Sequence, residues 1–246
     1  MANALTSFQP DAGDGRLQLH QSLHGYAEGH RLLGSSISIP DDLKRPMLRM
    51  SDLSGTSVLN GFQDYVTGYP LPSLDAYALA RTWYAPEMSR PGCVWTHTFI
   101  IPASAMARIT SLSVVRSLFR RPTGRSIAEV YSKPIFLDSD SCPQECGANS
   151  EQQGKTQALI TAHYGKDSWP VVIPAASSDE YADLIFALWD QKWPSLRMSF
   201  TFCTGSLSAR TYENRPLDVQ CVPVATARET TFIPHPLSCA LALILR

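Results

Sequence analysis

The strongest constraint on this chain lies near its start, in two segments where apolar and polar residues alternate. Residues 17–24 (LQLHQSLH) and 30–39 (HRLLGSSISI) are separated by five residues, Gly25 to Gly29 (GYAEG). Alternation sends successive side chains to opposite faces of a strand, and a short glycine-bounded loop lets two strands fold back on each other. With residue 24 opposite 30, 22 opposite 32 and 20 opposite 34, one register sorts both strands. One face collects Leu17, Leu19, Leu23, Leu33, Ile37 and Ile39, with Gln21, Arg31 and Ser35 as exceptions. The other collects Gln18, His20, Ser22, His24, His30, Gly34, Ser36 and Ser38, with Leu32 as its exception. A one-residue slip would exchange the two faces, so the pattern fixes the register as well as the hairpin.

Further elements follow from spacing and breakers. Asp41–Met50 begins after Pro40 with two acidic residues and reads as a short helix. Phe62–Tyr69, Ala76–Tyr84 and Cys93–Ile101 read as strands, punctuated by Pro70, Pro72, Pro86, Pro91 and Gly92. After Pro102, the stripe Ala105, Ile109, Leu112, Val115 and Phe119 predicts one helix, ending among Arg116, Arg120 and Arg121. A second helix is predicted over 179–193, with Ser177 and Glu180 as a capping box. Met198, Phe200 and Phe202 alternate with Ser199, Thr201 and Cys203 as a strand, and 216–236 reads as proline-rich coil.

The fold class that results is α+β: an antiparallel sheet starting with an N-terminal β-hairpin, packed with two or more helices. The expected division is a sheet-rich lobe over 1–137, a polar loop or linker over 138–155, and a second lobe over 156–246. That second lobe is either separate or part of the same domain, and it is expected to end in a truncated or terminal apolar helix.

Of the 246 residues, 44% are hydrophobic and 17% charged, enough apolar surface for a real core. Lys and Arg number 21 against 22 Asp and Glu, a net charge of −1. Phosphate contacts supply most of the affinity of nucleic-acid binders, so this balance argues against nucleic acid as the main partner. Met1 to Pro10 shows no basic start or apolar run, and no stretch reaches the ~18 apolar residues of a membrane span. The six cysteines are scattered, as expected of reduced thiols in a cytoplasmic protein.

The chemistry-bearing residues centre on the hairpin. His20, His24 and His30 share its polar face, and cross-strand neighbours lie about 5 Å apart, within reach of each other. Neutral imidazoles can bind metal or exchange protons near neutral pH. Glu28, in the loop, is the nearest acid, and no Cys or carboxylate stands at regular ligand spacing, so the reading carries no metal, no cofactor and no catalytic residue. The candidate binding residues are instead His20, His24, Tyr26, His30, Arg31 and His97. His97 shares a strand face with Trp95 and Phe99, which reads as a buried structural position. Cys142 and Cys146 have no second ligand pair, Gly205-Ser206 has no following glycine in elbow position, and no phosphate-binding Gly-rich loop with Lys-Ser/Thr is present. The arginines at 116, 120, 121 and 125 suit a helix C-terminus, where cations complement the dipole.

The run His20-Gln21-Ser22-Leu23-His24-Gly25-Tyr26-Ala27-Glu28-Gly29-His30-Arg31-Leu32-Leu33 resembles the opening of the N-terminal domain, type 1, of bacterial GTPase-associated proteins. Residues 77–86 (YALARTWYAP) and 90–101 (RPGCVWTHTFII) extend the resemblance over roughly the first hundred residues. Ala27 departs from the pattern, which has an arginine there. The resemblance implies a component of bacterial conflict or antiphage systems, encoded beside a GTPase. The function expected is a recognition or adaptor module that binds a co-encoded protein, a GTPase or effector subunit. The alternative is an enzyme or sensor acting on a phosphate-containing or nucleotide-like ligand through the hairpin histidines.

Overall fold

A computed structural model of the chain describes residues 16–88, 90–123, 127–138, 150–165 and 170–227. Its first strands are β1 (Leu17–Tyr26), β2 (His30–Ser35), β3 (Asp64–Leu71), β4 (Ala76–Tyr84) and β5 (Val94–Pro102). β6 (Ile135–Leu137), β7 (Val171–Ala175), β8 (Phe202–Cys203) and β11 (Val219–Pro223) complete one nine-stranded sheet. Its order is β2-β1-β5-β4-β3-β8-β11-β7, with β6 paired to β1. β9 (Thr211–Tyr212) and β10 (Arg215–Pro216) form a small separate hairpin. The fold is α+β, and residues from both halves of the sequence share the same sheet.

From β2 to β8 every pairing is antiparallel, whereas β11 runs parallel to both β8 and β7. The alternating pattern found the antiparallel strands: β4 matches its expected range, and β3 and β5 are displaced by one or two residues. β7 and β11 fall where coil was expected or nothing was assigned. They are short, nearly continuously buried and contain Pro174 and Pro223, so they show no alternation.

The hairpin pairs two residues tighter than the pattern suggested. Tyr26 faces His30, Gly25 faces Arg31 and His24 faces Leu32. The turn is therefore Ala27-Glu28-Gly29, with Glu28 and Gly29 at positive φ (56° and 126°). A bulge at Leu33 then resets the register, so that Leu23 faces Gly34 and Ser22 faces Ser35. β2 also stops at Ser35 rather than running to residue 39.

α1 (Asp41–Ser51) covers one face of the sheet, burying Leu43, Met47 and Met50 in a cluster with Tyr65, Tyr69, Leu71 and Ile100. The opposite face packs on α2 (Ala103–Met106), α3 (Leu112–Ser117), α5 (Ser150–Tyr164) and α6 (Ala182–Asp190) around Phe99, Ile101, Tyr77, Phe186 and Trp189. α4 (Ile127–Tyr131) lies near the hairpin, and α7 (Pro194–Arg197) follows α6.

Three helical expectations change. The stripe from Ala105 to Phe119 is not one helix but two, α2 and α3. Ser111 Oγ accepts from the Ser113 amide and Asp190 Oδ1 from the Leu112 amide, so side chains satisfy the donors of a new helix start. α6 is shorter than 179–193, and Glu180 accepts from the Ala176 amide outside the helix instead of closing a capping box. Residues 150–155 of the expected linker are the first turns of α5. Cys142, Cys146, Arg125 and the apolar helix expected at the end of the sequence lie outside the described residues. The strand expected over 198–203 shrinks to Phe202–Cys203, because α7 ends at Arg197 and turn bonds continue to Phe200.

Candidate functional site at the hairpin

β1 is an interior strand, held between β2 and β5, which explains why its polar residues are buried along with its apolar ones. Gln21, Ser22 and His24 are all nearly inaccessible. The hairpin end has a close-packed back. A Cβ on Gly25 would lie 2.3 Å from the Trp95 ring, so only glycine lets the strand approach the indole this closely. Leu23, Leu33 and Tyr26 pack with Trp95, Ala85, Cys93 and Tyr131 in a cluster of their own.

His24 and His30 come together, but diagonally rather than face to face across the strands. Their rings stack with centroids 6.2 Å apart at 27°. Ser51 Oγ donates to Leu48 O, which leaves its lone pair to accept from His30 Nε2 at 2.9 Å. The C-terminal end of α1 thus fastens the start of β2. Burial, and then the neighbouring His30, pushes His24 down to about 3. Burial also lowers His30, against the opposing pull of Asp52. Both imidazoles are held neutral, and His24 Nδ1 is buried without a hydrogen-bond partner among the described residues. His20, half-buried on the same strand face, has Nδ1 3.3 Å from Ser36 Oγ and is lowered by burial.

His97 is not part of this group. It lies on the opposite face of the sheet, fully buried and ringed by Phe99, Phe119 and Tyr131 at centroid distances of 4.5, 5.4 and 4.9 Å. The Arg120 amide donates to Nδ1, so Nε2 carries the proton and donates to Gln21 Oε1 at 2.9 Å. Gln21 Nε2 in turn donates to the Val130 and Lys133 carbonyls. Desolvation, and secondarily Arg120, pushes His97 down to about 3. This chain ties β1, β5, α4 and the end of α3 together. The pattern in the sequence left one trace of it, Gln21 standing as a polar exception on an otherwise apolar face.

Arg31 projects from the other strand face than His24 and His30 and pairs with exposed Glu28 at 3.4 Å. Leu32 is 37% exposed beside it. Tyr26 ends β1 rather than standing on the loop, half-buried against the Trp95 cluster. The structure therefore divides the candidate residues into two sets. Tyr26 and Arg31 reach the surface at the hairpin tip, together with Glu28 and Leu32. His20, His24 and His30 share the strand face of Tyr26 and Leu32, with His24 buried and His30 bonded to Ser51, whereas Arg31 projects from the other face. Among the described residues no group of three or more His, Cys, Asp or Glu is placed to hold a metal ion, and no helix is long and apolar enough to cross a membrane.

An α+β domain with an N-terminal hairpin built into its main sheet and exposing a mixed aromatic, apolar and charged tip is the class that the fold and site define. Residues 18–119 match the family model of GTPase-associated protein 1, N-terminal domain type 1, so this part of the chain is similar to that GTPase-associated domain. The match takes in β1 to β5, α1 and all six candidate residues. No curated protein and no solved structure matches the chain.

Proposed function

We propose that this protein is a recognition module of a bacterial conflict system, working in the cytoplasm. In this reading it binds a co-encoded protein, a GTPase or effector subunit, through the tip of the β1–β2 hairpin. The observation that carries this reading is the contrast between the tip and the packed strands that hold it. Behind it, Gly25 against Trp95 and His30 against Ser51 fix the backbone. At the tip, Tyr26 and Leu32 on one strand face, Arg31 on the other and Glu28 in the turn offer an aromatic body, an apolar side chain and a pair of opposite charges. A preorganised surface loses little conformational entropy on binding, and aromatic and arginine side chains dominate interface energetics.

Catalysis on a phosphate-containing ligand by His24, His30 and Arg31 fits the geometry less well, since Arg31 projects from the other strand face and is bound to Glu28. The test is co-purification of the co-encoded GTPase with the wild type and with Tyr26→Ala/Arg31→Glu, alongside a circular dichroism melt. The variant should still unfold cooperatively, at a temperature lowered by the lost Tyr26 packing, and capture the GTPase at least about tenfold less well, as for loss of a hot spot. Normal capture by the folded variant would remove the hairpin tip as the contact surface. His24→Ala is unsuited to this test because His24 is buried, and its loss would disturb the fold.

A further inference from the structure

A groove of about 650 Å³ lies at the opposite end of the strands from the hairpin tip. The register places it there: Leu71 pairs with Ala76 and Ala76 with Pro102, whereas the hairpin stands near Tyr84 and Val94. One wall comes from the end of β3 and the start of β4, with Pro70, Pro72 and Asp75. The other comes from Met198–Thr201 and the β9–β10 hairpin, beyond the family-matched residues. Tyr212 Oη donates to Pro70 O at 2.7 Å and joins the walls.

The lining is apolar through Pro70, Pro72, Met198 and Pro216, and it is edged by the carboxylates of Asp75, Glu213 and Asp218. Arg215 is the one basic residue among the described residues that line it. Arg45 and Arg49 line an adjoining hollow that shares Tyr212 and Glu213 with this one, and there Arg49 is bound to Thr211. Asp218 is fixed by the Thr201 amide and hydroxyl at 2.7 and 3.0 Å. The field is felt within the wall: after burial, Glu213 and Asp42 both hold the Tyr212 phenol above its ordinary value.

We propose that this groove docks an extended, lysine- or arginine-bearing segment of a partner protein. The apolar walls take the aliphatic stems of such side chains, and the carboxylates take their charged ends. The surface is separate from the hairpin tip, and the inference does not depend on the function proposed for that tip.

The test uses the full chain and fluorescein-labelled octalysine and octaglutamate, followed by fluorescence anisotropy at low salt. Asp75 and Glu213 both have left-handed backbones, at φ 44° and 47°, a conformation that asparagine tolerates. Asp75→Asn/Glu213→Asn therefore neutralises the edge without disturbing either turn. Wild type should bind octalysine saturably and octaglutamate not at all. The double variant, and independently Ser199→Arg, should weaken octalysine binding at least about fivefold. Glu129→Gln/Asp138→Asn, which neutralises exposed carboxylates elsewhere, and the hairpin variant Tyr26→Ala/Arg31→Glu should bind as the wild type does. Absence of saturable binding, or an equal loss in either control variant, would overturn the proposal.

Discussion

Gln21→Met tests the account of the buried His97 network most directly, because it keeps the length and bulk of the side chain while deleting its amide. Three hydrogen bonds are lost together: His97 Nε2–H loses its acceptor, and the Val130 and Lys133 carbonyls lose their donor. His97 is fully buried, so its N–H is left without water, at a cost of about 1–3 kcal/mol. The two carbonyls are only partly buried, and each lost bond there costs about 0.5–1.5 kcal/mol. The thioether recovers roughly 1 kcal/mol through its more favourable burial. The net expectation is about 1–5 kcal/mol, which for a protein of this size lowers Tm by roughly 2–20 °C. Thermal unfolding followed by circular dichroism measures the shift. A cycle with His97→Leu should show a coupling of at least about 1 kcal/mol, since the second change removes the orphaned donor that the first created. A melting temperature equal to or above that of the wild type would refute the network as a stabilising element.

Acid should weaken the fold well before most carboxylates titrate. His24 and His97, pushed from 6.5 to about 3, have folded values below the unfolded one, so their contribution is complete above pH 6.5 and is lost as pH falls toward 3. Each removes about 2 kcal/mol between pH 7 and pH 5, and a urea midpoint unchanged over that range would contradict neutral burial. Leu23→Ala should cost about 2–5 kcal/mol in urea unfolding, because Leu23 is fully buried among Ala85, Cys93, Trp95 and Tyr131; an unchanged midpoint would contradict this packing.

The sequence revealed most where one face of a strand differed from the other. Leu17, Leu19 and Leu23 marked the buried side of β1, and Ala76–Tyr84 marked β4 to the residue. It revealed least where burial is complete. Val171–Ala175 and Val219–Pro223 carry no alternation to detect, although they lie inside or beside the sheet. The hairpin register escaped for a different reason. A bulge at Leu33 changes the pairing without changing which residues are apolar, so composition along the strand does not mark it. For the candidate site, Arg31 was legible as a polar exception on an apolar face, whereas Tyr26, expected in the loop, ends β1 half-buried. The inward roles of His24 and His30 depend on Ser51 and α1, a contact between distant segments that no local pattern records.

The position of β8 and β11 sets a schedule for the newborn chain. Once residue 102 has left the ribosome, β1 to β5 can pair, but β3 still lacks its outer neighbour. That neighbour is Phe202–Cys203, a hundred residues later, and β8 is itself flanked by Val219–Pro223. Until those residues emerge, the Thr67–Gly68 edge stands open beside a partly built apolar face, the condition under which nascent sheets capture foreign strands. At roughly 5–20 residues per second, the interval lasts on the order of ten seconds. Slow synthesis of the stretch between β5 and β8 therefore lengthens the exposure of one particular edge, and a chain interrupted there is released with that edge uncovered.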